Sequence, residues 1–305
     1  MLLIILSLFF IPVTQQKEVS VKAPFLTLYG LLISPGQWEK WRPDLRNIAD
    51  GDSSCISFHK NANSLELDRD GQTLRVRHEG NSLFINDSIG GKVTMYDYTL
   101  IPRKIDDSTS VIVTKKTSVI GYLLAKAGRD NFSDTHISDL KKFMETDSLR
   151  YGCHIFKTKV PEADLIEMKK EVLTKDQFIT AANLLNSLEL FIKANRATKM
   201  QPLIAQFLPK GRDSVQVNVG FFINKPVKPE NGIAFVTMPK GGPLYTAKFS
   251  GRFDRRQKVY QGLHLYFTDH RYQSIILPFE TYLDNKLPKS DTDRVNIRVN
   301  ISAYF

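Results

Sequence analysis

A chain of 305 residues is about twice the length of a common domain, so two separate cores are expected. Hydrophobic content of 42% and charged content of 24% are globular values, which exclude a fibrous or disordered chain. The net charge of +10 lies in one half: Lys and Arg number 19 against 18 Asp and Glu up to Gly152, and 23 against 14 beyond it.

Such an excess suits an anionic partner or a solvated basic surface. No helix-turn-helix signature, zinc-finger spacing or RRM aromatic motif accompanies it, so no nucleic acid partner is expected. Cys55 and Cys153 fall in different predicted domains, and the six histidines form no H-x-x-H or H-E-x-x-H pattern. Neither a disulfide framework nor a metal site is indicated, and no cofactor is expected.

Met1 to Val13 is almost wholly apolar, interrupted only by Ser7 and Pro12, and polar residues begin at Thr14. As a helix it would reach roughly 20 Å, short of the roughly 30 Å hydrocarbon core. A membrane anchor over residues 1–15, a signal peptide and a buried segment are the three readings. The anchor is preferred, because a signal peptide needs a basic n-region and a small-residue cleavage site that this run lacks. Membrane association through Met1 to Val13 is therefore expected, with its sidedness unread.

Val19 and Val21 alternate with polar residues as on a half-buried strand, and Leu26 to Ile33 suits a short helix. Trp38 and Trp41 follow, three residues apart. Strands are expected over Cys55–His59, Ser64–Leu67, Leu74–His78, Ser82–Asn86, Val93–Ile101 and Ser110–Tyr122, separated by turns such as Arg69-Asp70-Gly71. Ser133 to Asp147 reads as a closing helix with Asp134 as its N-cap. The strand with Val-x-Val-Lys-Ala-Pro, the helix, Trp38-x-x-Trp41-x-Pro43 and the closing helix resemble the SRPBCC, or polyketide-cyclase-like, superfamily over residues 16–150. That resemblance implies a helix-grip: a curved antiparallel sheet around the closing helix, with an inner cavity.

The second half repeats itself. Pro209-Lys210-Gly211-Arg212-Asp213-Ser214-Val215-Gln216-Val217 recurs as Pro288-Lys289-Ser290-Asp291-Thr292-Asp293-Arg294-Val295-Asn296-Ile297, about 80 residues later. Each copy ends in an alternating strand, preceded by a second strand (Pro202–Leu208, Ile275–Leu283), a helix and a leading strand (Ala163–Leu173, Gly242–Ser250). The first helix carries a stripe of Phe178, Ala181, Ala182, Leu185, Leu188 and Ile192 with Thr174 as N-cap. The second carries Val259, Leu263, Tyr266 and Phe267. The predicted class is α+β, with a pseudo-twofold tandem β-α-β-β domain over residues 151–305 and a cleft between its two sheets.

Leu277-Pro278-Phe279-Glu280-Thr281-Tyr282-Leu283, with Leu244 to Gly251 and the terminal strand, resembles the GyrI-like family, also the effector-binding part of certain multidrug-responsive regulators. This SHS2-type resemblance implies an amphipathic or cationic small-molecule ligand, here without a DNA-binding domain. On a strand Glu280 and Tyr282 share a face, so a carboxylate among aromatic walls is expected, with Tyr245, Phe207 and Phe221 as further wall candidates. The opposing reading is a solvated edge glutamate and core aromatics. The run Gly251 to Val259 is basic at a helix start, where the helix dipole disfavours cations, and the sequence offers no reason for it. No nucleophile elbow or Walker loop is present, so no catalytic residue is assigned. Some GyrI-like proteins hydrolyse strained electrophiles, which leaves Glu280 as a general base the alternative reading. A protein-binding role for the cleft is a third.

Overall fold

The structure is a computed structural model that describes residues 11–46, 57–61, 64–69, 72–89, 91–103, 107–128, 132–160, 164–200, 202–230, 232–236, 241–274 and 276–304. Two compact units meet between Arg150 and Tyr151. Both are mixed α+β with antiparallel sheets.

In the N-terminal unit, β1 (Pro12–Val21), β2 (Ser57–Asn61), β3 (Ser64–Arg69), β4 (Gln72–Glu79), β5 (Ser82–Ile89), β6 (Lys92–Pro102) and β7 (Thr109–Ser118) form one sheet in the order β1-β7-β6-β5-β4-β3-β2. Alternation puts Leu74, Val76, Leu83, Ile85, Tyr96, Tyr98, Val111 and Val113 on one buried face. Helix α1 (Phe25–Leu32), single turns at Trp38–Trp41 and Pro43–Arg46, and, past α2 (Val119–Ala127), α3 (Ile137–Glu145) supply the other side of this core through Leu28, Trp38, Trp41, Leu140 and Phe143. Both tryptophans are core residues, with ring centroids 4.8 Å apart. Trp38, Trp41, Arg42, Tyr96 and Tyr98, each at most 2% exposed, lie in this interior.

Arg42 brings a charge into that interior and is neutralised there. Its guanidinium donates to Asp87 at 2.5 Å and makes a two-pronged contact with Asp44, whose carboxylate also accepts from Gln72 at 3.0 Å. Burial would raise the Asp44 carboxyl, but the hydrogen bond and charge of Arg42 hold it below the usual range. At Asp87 burial dominates and pushes the carboxyl up.

Three sequence expectations change here. The strand predicted to Tyr122 stops at Ser118, because its partner β1 begins opposite, at Pro12. Ser118 Oγ then accepts from the Gly121 amide at 3.1 Å, a capping bond that starts α2. Asp134 is not the cap of α3. It lies one turn upstream and binds Lys115 at 2.5 Å, while His136 in a left-handed conformation (φ 54°) leads into the helix. Finally, Pro12 to Gln15 belong to β1 rather than to an anchor segment. Met1 to Phe10 and Cys55 lie outside the described residues.

In the C-terminal unit the repeat units are β9 (Asp164–Leu173), α4 (Gln177–Ala194), β10 (Leu203–Lys210), β11 (Ser214–Ile223), and β13 (Pro243–Arg252), α5 (Gln257–His270), β15 (Phe279–Tyr282), β16 (Arg294–Tyr304). Strands β8 (Ile155–Lys159) and β12 (Ile233–Val236) extend the edges, and β14 (Gln273–Ser274) pairs with β16. The order β12-β9-β11-β10-β15-β16-β13-β8 is one sheet rather than two flanking a cleft. Its seam is the antiparallel pairing of Leu203, Ile204 and Ala205 with Tyr282, Thr281 and Glu280. Unpaired seam strands would each present a row of bare N–H and C=O groups, and pairing removes both edges.

Both helices lie against the face carrying Val217, Val219, Tyr245, Tyr282, Ile297 and Val299. A 3₁₀ turn introduces each: Thr174–Asp176 before α4, so that Thr174 is not the cap, and Phe253–Arg256 before α5. The buried stripe of α4 runs through Ala181, Leu184, Leu188, Phe191 and Ile192, rotated slightly from the predicted one. Gly262 in α5 faces the Tyr151 carbonyl so closely that a Cβ would collide with it.

Arg42→Ala leaves Asp44 and Asp87 uncompensated and should lose about 3–5 kcal/mol. Asp87→Asn keeps the Arg42–Asp44 contact and should lose less, about 1.5–3 kcal/mol, with urea unfolding as the measurement. The fragment Tyr151–Phe305 should unfold cooperatively by itself, and Gly262→Ala within it should lose about 1–3 kcal/mol from overpacking, although alanine favours helix. Neutral or stabilising behaviour of Gly262→Ala would contradict the close approach.

Candidate functional site

Glu280 lies on a four-residue strand whose residues are all buried, and alternation aims it with Tyr282 at the helices while Phe279 and Thr281 face the opposite side. Its cross-strand neighbours are Ala205 and Val299, neither of which can hydrogen-bond through its side chain. The carboxylate, in a residue 1% exposed, is satisfied from the helix side instead. Arg256 Nε donates to Oε1 at 2.6 Å, Tyr260 Oη to the same oxygen at 2.9 Å, and Tyr282 Oη to Oε2 at 2.5 Å.

Arg256 is itself buried and held in place. Its Nη1 donates to the Phe253 carbonyl at 3.0 Å, and its guanidinium carbon stands 3.4 Å from the centroid of the Phe253 ring and 5.9 Å from that of Phe207. Phe207 meets Phe253 edge-to-face at 5.1 Å, and Phe178 completes the aromatic shell. Burial, reinforced by the charge of Glu280, pushes the phenols of Tyr260 and Tyr282 up, so both remain neutral donors.

The five sequence candidates are distributed over three places on this helix-bearing face. Glu280, Tyr282 and Phe207 surround Arg256. Tyr245 stands in a separate aromatic group, 5.1 Å from Tyr272 and 5.5 Å from both Tyr266 and Phe267, its phenol raised by burial and then by the Tyr272 contact. Phe221 belongs to the core, with the Lys199 ammonium 4.4 Å from its ring centroid. Sequence reasoning missed Arg256 and Tyr260. The signal was present in the basic run at the start of α5, where residues four apart share a helix face. A cation disfavoured by the helix dipole is explained by a buried anion facing it.

One wall of an open cavity of about 700 Å³ is Tyr260, together with His264, Phe267, Arg271, Tyr272 and Pro278. Tyr260 thus lines the cavity while its hydroxyl donates to the carboxylate. The arrangement presents an aromatic recess backed by a neutralised acid. A general base needs a lone pair open to substrate or water. The Glu280 oxygens accept three hydrogen bonds in a residue 1% exposed, which leaves little of the carboxylate open to substrate or water.

Among the described residues no group of three His, Cys, Asp or Glu is placed to hold a metal, and no helix is long and apolar enough to cross a membrane. No family model and no curated protein matches the chain. Among solved structures it is similar to the EcmrR C-terminal domain, at 17% identity, covering 50% of this chain and 98% of that one, with a TM-score of 0.39. A hydrolase from Listeria innocua is similar at 11% identity, covering 49% and 91%, with a TM-score of 0.37. A START superfamily protein from Mycobacterium smegmatis is similar at 17% identity, covering 43% and 97%, with a TM-score of 0.30. The likeness is one of mixed α+β build and carries no ligand or reaction to this chain.

Proposed function

We propose that the C-terminal unit binds an amphipathic small molecule on the helix-bearing face, in the recess lined by Tyr260, Phe267 and Tyr272, with Glu280 as its polar anchor. The observation behind this reading is a carboxylate 1% exposed, ringed by Arg256, Tyr260 and Tyr282, with Tyr260 shared between the carboxylate and the open cavity. A few fixed polar groups behind an apolar, aromatic wall suit a small molecule. The ligand enters against Tyr260 and takes over its place at Oε1. A cationic ligand gains its charge partner as Arg256 gives way, and an uncharged ligand binds with Arg256 in place. The unit acts as a binding module without nucleic acid.

Titration of the full chain with a lipophilic aromatic cation and its uncharged isostere, followed by intrinsic fluorescence, tests the reading. Glu280→Gln keeps the shape and should weaken the cation by about 1.5–3 kcal/mol, the range for a hydrogen bond to a charged group, while weakening the isostere less. Tyr272→Ala should weaken both. Unchanged affinity in both variants, with melting curves showing folded protein, would remove this recess as the site.

The apolar residues before Pro12 are proposed to tether the chain to a membrane, on the strength of their composition and of β1 starting directly after them. Full-length protein should then stay in the membrane fraction after a carbonate wash. Complete recovery in the soluble fraction would refute the tether.

A further inference from the structure

The opposite, helix-free face of the same sheet carries a second feature that the recess does not use. Leu165, Glu167 and Lys169 project there from β9, Gln216, Asn218 and Gly220 from β11, and Ile204 and Gln206 from β10. With Val236, Ile276 and Phe279 they line a groove of about 320 Å³, within the size range of small-molecule sites. Its floor is apolar, since Leu165, Ile204 and Phe279 are all buried.

Glu167 is anomalous in this setting. Its cross-strand neighbours are Gly220 on one side and Ala234 on the other, so neither residue directly opposite it has a side chain able to pair with it. Among the described residues no hydrogen bond or ion pair reaches its carboxylate, and only the charge of Lys169, two residues on, acts on it. Burial outweighs that charge and pushes the Glu167 carboxyl up. A half-buried acid without a donor is destabilised relative to one that has a cation. Gly220 preserves the space above it: a Cβ there would come within 2.8 Å of the Ile166 carbonyl and 3.5 Å of the Glu167 Cβ.

The polar wall beside it is a chain of linked side-chain amides. Gln216 donates to Asn218 at 2.9 Å, Asn218 to Gln206 at 2.8 Å, and Gln206 to the Pro278 carbonyl at 2.9 Å. These amides bond to one another, and among the described residues none of them donates to Glu167.

We propose that this helix-free groove is a second small-molecule site, specific for a primary or secondary amine with a compact apolar body, its ammonium paired with Glu167 and its body on Leu165, Ile204 and Phe279. Lys169 is exposed at the rim, so its repulsion is screened by water and salt, and a ligand ammonium at Glu167 is the dominant charge contact. The proposal does not depend on the recess behind Tyr260, because the two sites lie on opposite faces of one sheet.

The test uses the full chain, 4-phenylbutylamine as probe and 4-phenylbutan-1-ol as its uncharged counterpart, by calorimetric titration. The amine should bind wild type at least tenfold more tightly than the alcohol. Glu167→Gln should remove that preference, and Lys169→Gln should leave amine affinity equal or higher. The comparison of amine with alcohol on wild type needs no variant and stands even if a substitution disturbs folding. Equal affinity for amine and alcohol would overturn the site, as would amine binding unaffected by Glu167→Gln. Loss on Glu280→Gln with retention on Glu167→Gln would also overturn it, and would place the amine on the helix-bearing face.

Discussion

The buried Glu280–Arg256 pair is the interaction around which the C-terminal unit is arranged. A carboxylate on the central seam has only Ala205 and Val299 as strand neighbours, so its compensation has to come from above the sheet. Desolvating both ions costs several kcal/mol each, which their attraction recovers only with good geometry and further hydrogen bonds. The two tyrosine hydroxyls and the Phe253 carbonyl provide those bonds. A buried pair of this kind is weak evidence of stability, and its value lies in position. It ties the turn before α5 to β15 and fixes where the helix starts.

That tie explains why a short strand suffices at the seam. β15 has four residues and pairs with only three of β10, yet it joins two repeats into one sheet. Arg256 and Tyr260 hold it from the helix side, and Asn300 binds it from the other, donating to the Phe279 carbonyl and Thr281 hydroxyl at 3.1 and 2.9 Å. The two faces of the sheet differ in kind as a result. One is covered by helices and closed by a charge pair, and the other carries an amide-lined groove in which no hydrogen bond among the described residues reaches Glu167.

The N-terminal unit solves a similar problem in a different way. Arg42 enters an aromatic interior and is neutralised by two aspartates, one from its own turn and one from β5. The charge cluster and the two tilted tryptophans are buried together in this interior. In both units an arginine just outside or within a short helical turn reaches a carboxylate on a strand, and pins a local element to the sheet.

Much of this was legible in the sequence because it depends on local periodicity. The repeat around Val215 and Val295, the alternating strands of the first unit and the shared face of Glu280 and Tyr282 follow from period-two geometry, which no distant contact alters. The ends of elements were less legible, since β7 stops where its partner strand starts and Ser118 then caps a helix. The partners of the buried acids were not legible at all. Arg256 is 24 residues from Glu280, and Gly220 and Ala234 flank Glu167 from strands 53 and 67 residues on. Composition determined that the second half is basic and that it nonetheless contains 14 acids. Only the pairing of distant strands decided that one acid would be neutralised and the other left, among the described residues, without a partner, because burial and cross-strand register are properties of the assembled sheet.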